Sequence, residues 1–228
     1  CPFASINCPF PEILKRYVGL MEMWQRWWRL VRPFAVDEPR AMAVFQEIVE
    51  AYGEDGRFYH TLDHIAEMLD LLDEFSGLAH DLPSLRLAVW FHDVVYDPRA
   101  GDNEAQSAAW ANTAMKGLGL TANLRDRVSQ LILMTQHHQC PEEDGDGWLL
   151  LDADLAILGA LPPRYEGYAR AIRQEFAFVP EMVYGSARRQ ILQNFLDRER
   201  LYFHPPLFNK LERQARENLS REKAQYTG

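Results

Sequence analysis

The chain has 228 residues, 47% hydrophobic and 25% charged, which is near the average of soluble globular proteins and enough for one large domain or two small ones. A formal net charge of −9 argues against nucleic acid as the main partner, because phosphate contacts need clustered Lys and Arg. It leaves room for a small phosphorylated ligand served by a metal or a few arginines. Cys1, Cys8 and Cys140 form no disulfide framework and no zinc-ribbon spacing, so a reducing cytoplasm is the expected location. No apolar run reaches the ~18 residues that span a bilayer, so no membrane association is expected.

Residues 1–20 read as an upstream extension, native and poorly ordered or added in cloning, because the first clean amphipathic segment begins at Met21. In "MEMWQRWWRLV", Trp24, Trp27, Trp28 and Val31 recur at helical spacing on one face. Such a stripe reads as core rather than as a membrane-surface helix flanked by Arg26, Arg29 and Arg32, and it leaves a homodimer open. A second helix is expected over 40–52, and "YGEDGR" (Tyr52 to Arg57) is a loop. Helices then follow over roughly 61–75, 84–95, 103–117, 122–138, 149–160, 163–176, 181–203 and 206–222, with breaks at "SGL", "DPRAGD", "GLGLT", "CPEEDGDG", "LPP", "FVPE" and "HPP". Strand alternation is nearly absent, and no linker divides the chain. The expectation is a single all-α domain over 21–222.

Five of the seven histidines fall in three clusters: His60 and His64; His92; His137 and His138. His60 and His64 share a face if their helix begins near Tyr59. His92 and Asp93 sit side by side at the end of the apolar run "AVWF", diverging by about 100° around a helix. Asp152 and Asp154 lie in "LLLDADLAIL", where a carboxylate must be paired, protonated or metal-bound. The plain alternatives are an Asp that caps a helix and histidines that complement a helix dipole. His80 and His204 stand outside the clusters and read as structural.

The order His60, His92-Asp93, then an Asp in "DADLAIL" resembles the HD superfamily of metal-dependent phosphohydrolases. More narrowly, "YHTLDHI", "WFHDVVYDP", "DNEAQSA", "TQHH", "LLDADLAILG" and "RRQILQNFLDRERLY" are similar to a bacterial family of predicted HD phosphohydrolases, across about Met21 to Leu219. The resemblance implies an HD-type helical bundle with a metal held by His60, His92, Asp93 and Asp154, with Asp152 as the competitor for the last place. Two His and two Asp suit Mn²⁺, Fe²⁺, Mg²⁺, Co²⁺ or Zn²⁺, and the lack of Cys among them argues against a structural zinc.

The implied chemistry is metal-activated water attacking a phosphate ester or anhydride, with a nucleotide as the expected substrate. Asp97, four residues after Asp93, is the candidate proton carrier if the helix lasts that far. Glu104 is the candidate for orienting a water or a histidine. His64 and His138 are candidates for gripping phosphate or a second ion, and Arg57 for neutralising phosphate. Two competing functions are an HD domain that senses a nucleotide without turnover and a di-iron HD oxygenase, which the extra His64, His137 and His138 keep open.

Overall fold

The computed structural model describes residues 10–226, with side chains from residue 18 onward. Among the described residues every regular element is helical: α1 (Phe10–Val31), α2 (Glu38–Tyr52), α3 (Leu62–Glu74), α4 (Leu82–Phe91), α5 (Asn103–Gly117), α6 (Ala122–Thr135), α7 (Gly145–Asp154), α8 (Pro162–Glu175), α9 (Glu181–Leu196) and α10 (Pro205–Gln225). This is the expected all-α class. Helix α1 begins at Phe10 rather than Met21, so it runs into the segment read as an extension; residues 1–9 of that segment lie outside the described residues.

The helix starts follow local chemistry. Asp37, Asp81, Thr121 and Asp144 each accept a hydrogen bond from a backbone N–H in the first turn of the helix they precede. Each satisfies a donor that the helix itself leaves unpaired.

The aromatic stripe of α1 turns inward. Trp27 is fully buried, edge-on to Trp90 and Phe91 of α4, and its indole N–H donates to Ala41 O at 2.9 Å. Trp24 and Trp28 are half-buried and stack on each other beside it.

Helix α4 is the hub. Leu85, Leu87, Ala88, Val89, Trp90 and Phe91 are all buried, so it is apolar around most of its circumference, with Arg86 on the outer side paired to Asp73. It packs against α1, α3, α5, α6 and α7. Any group at its C-terminal end is therefore delivered to the middle of the bundle.

Helix α7 ends at Asp154 and tightens into a 3₁₀ turn, Leu155–Gly159, that lies on α10. A Cβ on Gly159 would come within 2.7 Å of Leu211 Cβ and 2.9 Å of its carbonyl oxygen, so only glycine allows this approach. Asn218 of α10 closes the turn by donating to Leu158 O and Ala160 O, both at 2.8 Å. No helix among the described residues is long and apolar enough to cross a membrane.

Candidate metal centre

Three elements bring imidazole and carboxylate together. Helix α3 starts at Leu62 behind Thr61, later than a helix beginning near Tyr59 would. His64 therefore lies in its first turn, pointing into the bundle and 3% exposed, while His60 precedes the helix. Helix α4 stops at Phe91, four residues short of the expected end, which leaves His92 as its C-terminal cap and Asp93 beyond it. Asp154 is the last residue of α7.

His64 Nε2 lies 3.3 Å from Asp154 Oδ1, and His92 Nε2 lies 3.8 Å from the same oxygen. One donor atom from each of His64, His92 and Asp154 falls within 4.8 Å of the other two. Asp93 Oδ2 approaches His92 Nε2 to 3.0 Å, and His138 Nε2 stands 3.1 Å from Asp154 Oδ2. His138 holds this position in the left-handed backbone region, at φ 49°, which is uncommon for a residue with a Cβ.

The orientation of the rings is set from outside the group. His64 Nδ1 meets the Tyr59 hydroxyl at 3.1 Å, and His92 Nδ1 meets Val89 O at 3.0 Å. Both rings thus present Nε2 to the centre, the arrangement that fixes the tautomer of a metal-binding histidine. His92 Nε2 is buried and has no hydrogen-bond partner, since Asp93 Oδ2 is close but out of line. A buried polar nitrogen without a partner is costly, and a cation between it and the carboxylates removes that cost.

The electrostatics agree. Burial disfavours a charged His92, yet Asp93 and Asp154 outweigh it and push the pKa up to about 9. Burial opposes ionisation of Asp154 too, but His138 and His64 hold its carboxyl well below the usual range. Without an ion, this centre recruits protons to balance its carboxylates. The residues therefore fit a divalent cation.

His60 sits apart from the three-residue group. Its Nδ1 donates to Glu175 Oε2 at 2.7 Å, Tyr96 stacks on its face with 4.1 Å between ring centres, and its ring centre is 6.2 Å from that of His64. Burial lowers its pKa, but the Glu175 hydrogen bond and the Asp93 charge turn the net shift upward.

Comparison of the chain with protein-family models, with curated proteins and with solved structures returns no match.

Several candidate residues are placed differently from expectation. Asp152 and Asp154 end α7 rather than begin a helix, and two residues of helix turn them about 200° apart. Asp154 faces the histidines. Asp152 faces away, accepting from Phe203 N at 2.8 Å, His204 N at 2.9 Å and His204 Nδ1 at 3.0 Å. Asp152 is thus a clamp on the chain entering α10. Replacing it with alanine is expected to lower stability by about 2–4 kcal/mol, since two half-buried backbone N–H groups and the His204 ring lose a charged acceptor. Metal content should stay at the wild-type level. Urea unfolding with elemental analysis checks this, and metal loss would return Asp152 to the centre.

Arg57 is not free to meet phosphate. Its side chain is 2% exposed, and its guanidinium donates to Asp93 O at 2.6 Å and Val94 O at 2.9 Å, pinning the segment after α4. Tyr52 helps: its hydroxyl donates to Trp90 O at 3.2 Å and accepts from Asp93 N at 3.3 Å.

Asp97 is exposed in a loop rather than one helical turn from Asp93, and its Oδ1 accepts from Arg99 N at 2.9 Å. Glu104 is half-buried in the first turn of α5, where it complements the helix dipole. His137 is exposed beside His138.

The residues that sequence reasoning missed are Tyr59, Tyr96 and Glu175. Tyr59 adjoins His60 in "FYH" and offered a local hint. Glu175 offered none, being an ordinary acid in "RQEFAF".

Proposed function

We propose that this chain is an HD-type, metal-dependent phosphohydrolase acting on a phosphate ester or anhydride, with a nucleotide as the favoured substrate class. The observation that carries the reading is the buried convergence of His64 Nε2, His92 Nε2 and Asp154 Oδ1, with His92 Nε2 left without a hydrogen bond. His64, His92 and Asp154 would hold the ion, and Asp93, beside His92, would complete an all-N/O set. Two imidazoles favour Mn²⁺, Fe²⁺, Co²⁺ or Zn²⁺ over Mg²⁺. A bound divalent ion supplies Lewis acidity and activated water at neutral pH.

The chain's own residues prepare the site. Tyr59 and Val89 O hold the imidazoles with Nε2 inward, and Arg57 and Tyr52 hold the Asp93 backbone. His138, 24% exposed and on the outer oxygen of Asp154, would be open to a ligand from solvent.

The test is a screen for phosphate or pyrophosphate release from mono-, di- and triphosphate nucleotides and cyclic nucleotides, with each divalent metal supplied. The expected result is metal-dependent release that falls by about 10²-fold or more in His92→Ala. Tight nucleotide binding with no release from metal-loaded protein would favour a sensor. That second reading has one observation behind it: neither Asp97 nor Glu104 reaches the centre as a separate proton carrier. Oxygen-dependent turnover of ferrous protein, with a near-UV/visible absorption band, would favour an oxygenase instead.

A further inference from the structure

Glu175, the last residue of α8, is 4% exposed and every contact it makes leads to one histidine or the backbone around it. Its Oε1 accepts from three consecutive backbone N–H groups, Phe58 at 2.8 Å, Tyr59 at 2.7 Å and His60 at 3.0 Å. Its Oε2 accepts from His60 Nδ1 at 2.7 Å and from the Tyr96 hydroxyl at 2.9 Å. Tyr96 in turn stacks on the His60 ring. Ring, backbone and stacking partner are all held by a single carboxylate.

This framework orients a histidine that the three-residue metal group does not use. With Nδ1–H committed to Glu175, whatever His60 does toward solvent is done by Nε2 on the opposite edge of the ring. The His60 side chain is 19% exposed, against 3% for His64 and 1% for His92, so of the three it is the one a ligand from solvent can reach. The need is also visible. An anionic substrate requires a donor beside the metal, and Arg57 is committed to backbone carbonyls.

We infer that His60 is a substrate-binding residue, donating a hydrogen bond from Nε2 to a phosphoryl oxygen, with Glu175 and Tyr96 as its positioning residues. The inference rests on the phosphohydrolase reading for the class of ligand. It departs from the metal role that the HD resemblance implies for His60. The anionic partner at Nδ1 stabilises the imidazolium, and a charge-assisted donor is the stronger kind. The carboxylate also neutralises that charge while no substrate is present.

The experiment uses His60→Asn in the full chain, with inorganic phosphate as the probe. The asparagine amide sits near the former Nδ1 and keeps a donor for Glu175, while the Nε2 edge is removed. Metal content is read by elemental analysis, folding by thermal melting, and phosphate affinity by equilibrium titration of Mn²⁺-loaded protein. The expected result is wild-type metal content with phosphate affinity reduced about tenfold or more, as for loss of a hydrogen bond to a charged group. The double variant His60→Asn/Glu175→Gln should lose little further phosphate affinity, because Glu175 acts through His60.

Loss of metal in His60→Asn would make His60 a ligand and overturn the inference, as would unchanged phosphate affinity. A wild type that takes up no metal defeats the phosphohydrolase reading separately. The same titration on metal-free protein then still decides His60 by the tenfold criterion. A wild type that binds no phosphate in either state overturns the inference.

Discussion

Replacing Asp154 with asparagine is expected to lower divalent-metal affinity by about 10²-fold or more, a larger loss than outer-sphere changes bring. Asparagine keeps the size and one oxygen acceptor but removes the charge. Asp154 is the carboxylate that both His64 and His92 face with Nε2, so the ion would lose its central anionic ligand. In the metal-free protein the change removes the charge that His138 and His64 face, which outweighs the relief of repulsion from Asp93, so the variant gains no stability there.

Wild-type protein at a metal concentration of about 100 Kd should gain roughly 2.7 kcal/mol, or about 5–11 °C in Tm for a chain of this size. The variant should show almost none of that gain. Thermal melts with and without metal, paired with calorimetric titration, check both parts. A variant that keeps the metal-induced rise would remove Asp154 from the centre.

Removing Glu175 is expected to cost about 3–5 kcal/mol of stability in Glu175→Ala. The variant leaves the N–H groups of Phe58, Tyr59 and His60 without an acceptor in a buried corner, and it leaves His60 Nδ1 and the Tyr96 hydroxyl unpaired. The pH dependence follows from the same contacts. Burial raises the Glu175 pKa, but the hydrogen bond and charge of His60 and the Tyr59 and His60 N–H groups lower it to about 2 from an ordinary 4.5. A depressed carboxylate stabilises the fold above its unfolded pKa and loses that contribution as pH falls toward its folded pKa.

Wild type should therefore lose about 3 kcal/mol through Glu175 between pH 4.5 and pH 2, by the ~1.4 kcal/mol that each pKa unit represents. Glu175→Ala should lack that part of the acid sensitivity. Urea midpoints at pH 7, 4.5 and 3 measure it. Parallel acid profiles for the two proteins would mean that Glu175 titrates normally.

The fold was legible wherever a pattern was local. The Trp24–Val31 stripe and the breaks at Gly and Pro mark helices that the structure contains. Helix ends were less legible, because tertiary contacts set them. Val94 and Val95 continue an apolar run, but Arg57 takes the Asp93 and Val94 carbonyls and Ser107 pairs with both the N–H and the carbonyl of Val95. The chain therefore leaves the helix at Phe91. Likewise α9 was expected through residue 203 and ends at Leu196, since Glu212 captures Leu201 N and Tyr202 N and Asp152 captures the next two N–H groups.

At the candidate site, His92 and Asp154 were legible as polar groups inside apolar runs. The choice between His60 and His64 was not, because it turns on a helix that starts two residues past His60. Glu175 was not legible either. It lies 115 residues from His60, and nothing near it in the chain marks it as a partner.

The most direct test of the central claim is elemental analysis of wild type, His64→Ala and His80→Ala, all purified without chelator. His64 is buried against Asp154, whereas the His80 side chain is 84% exposed and lies outside the metal-ligand group. The account predicts about one or more equivalents of a transition metal in wild type and His80→Ala, and a large loss in His64→Ala. A wild type free of metal after growth with each candidate ion, or a His64→Ala protein that keeps its full complement, would contradict it.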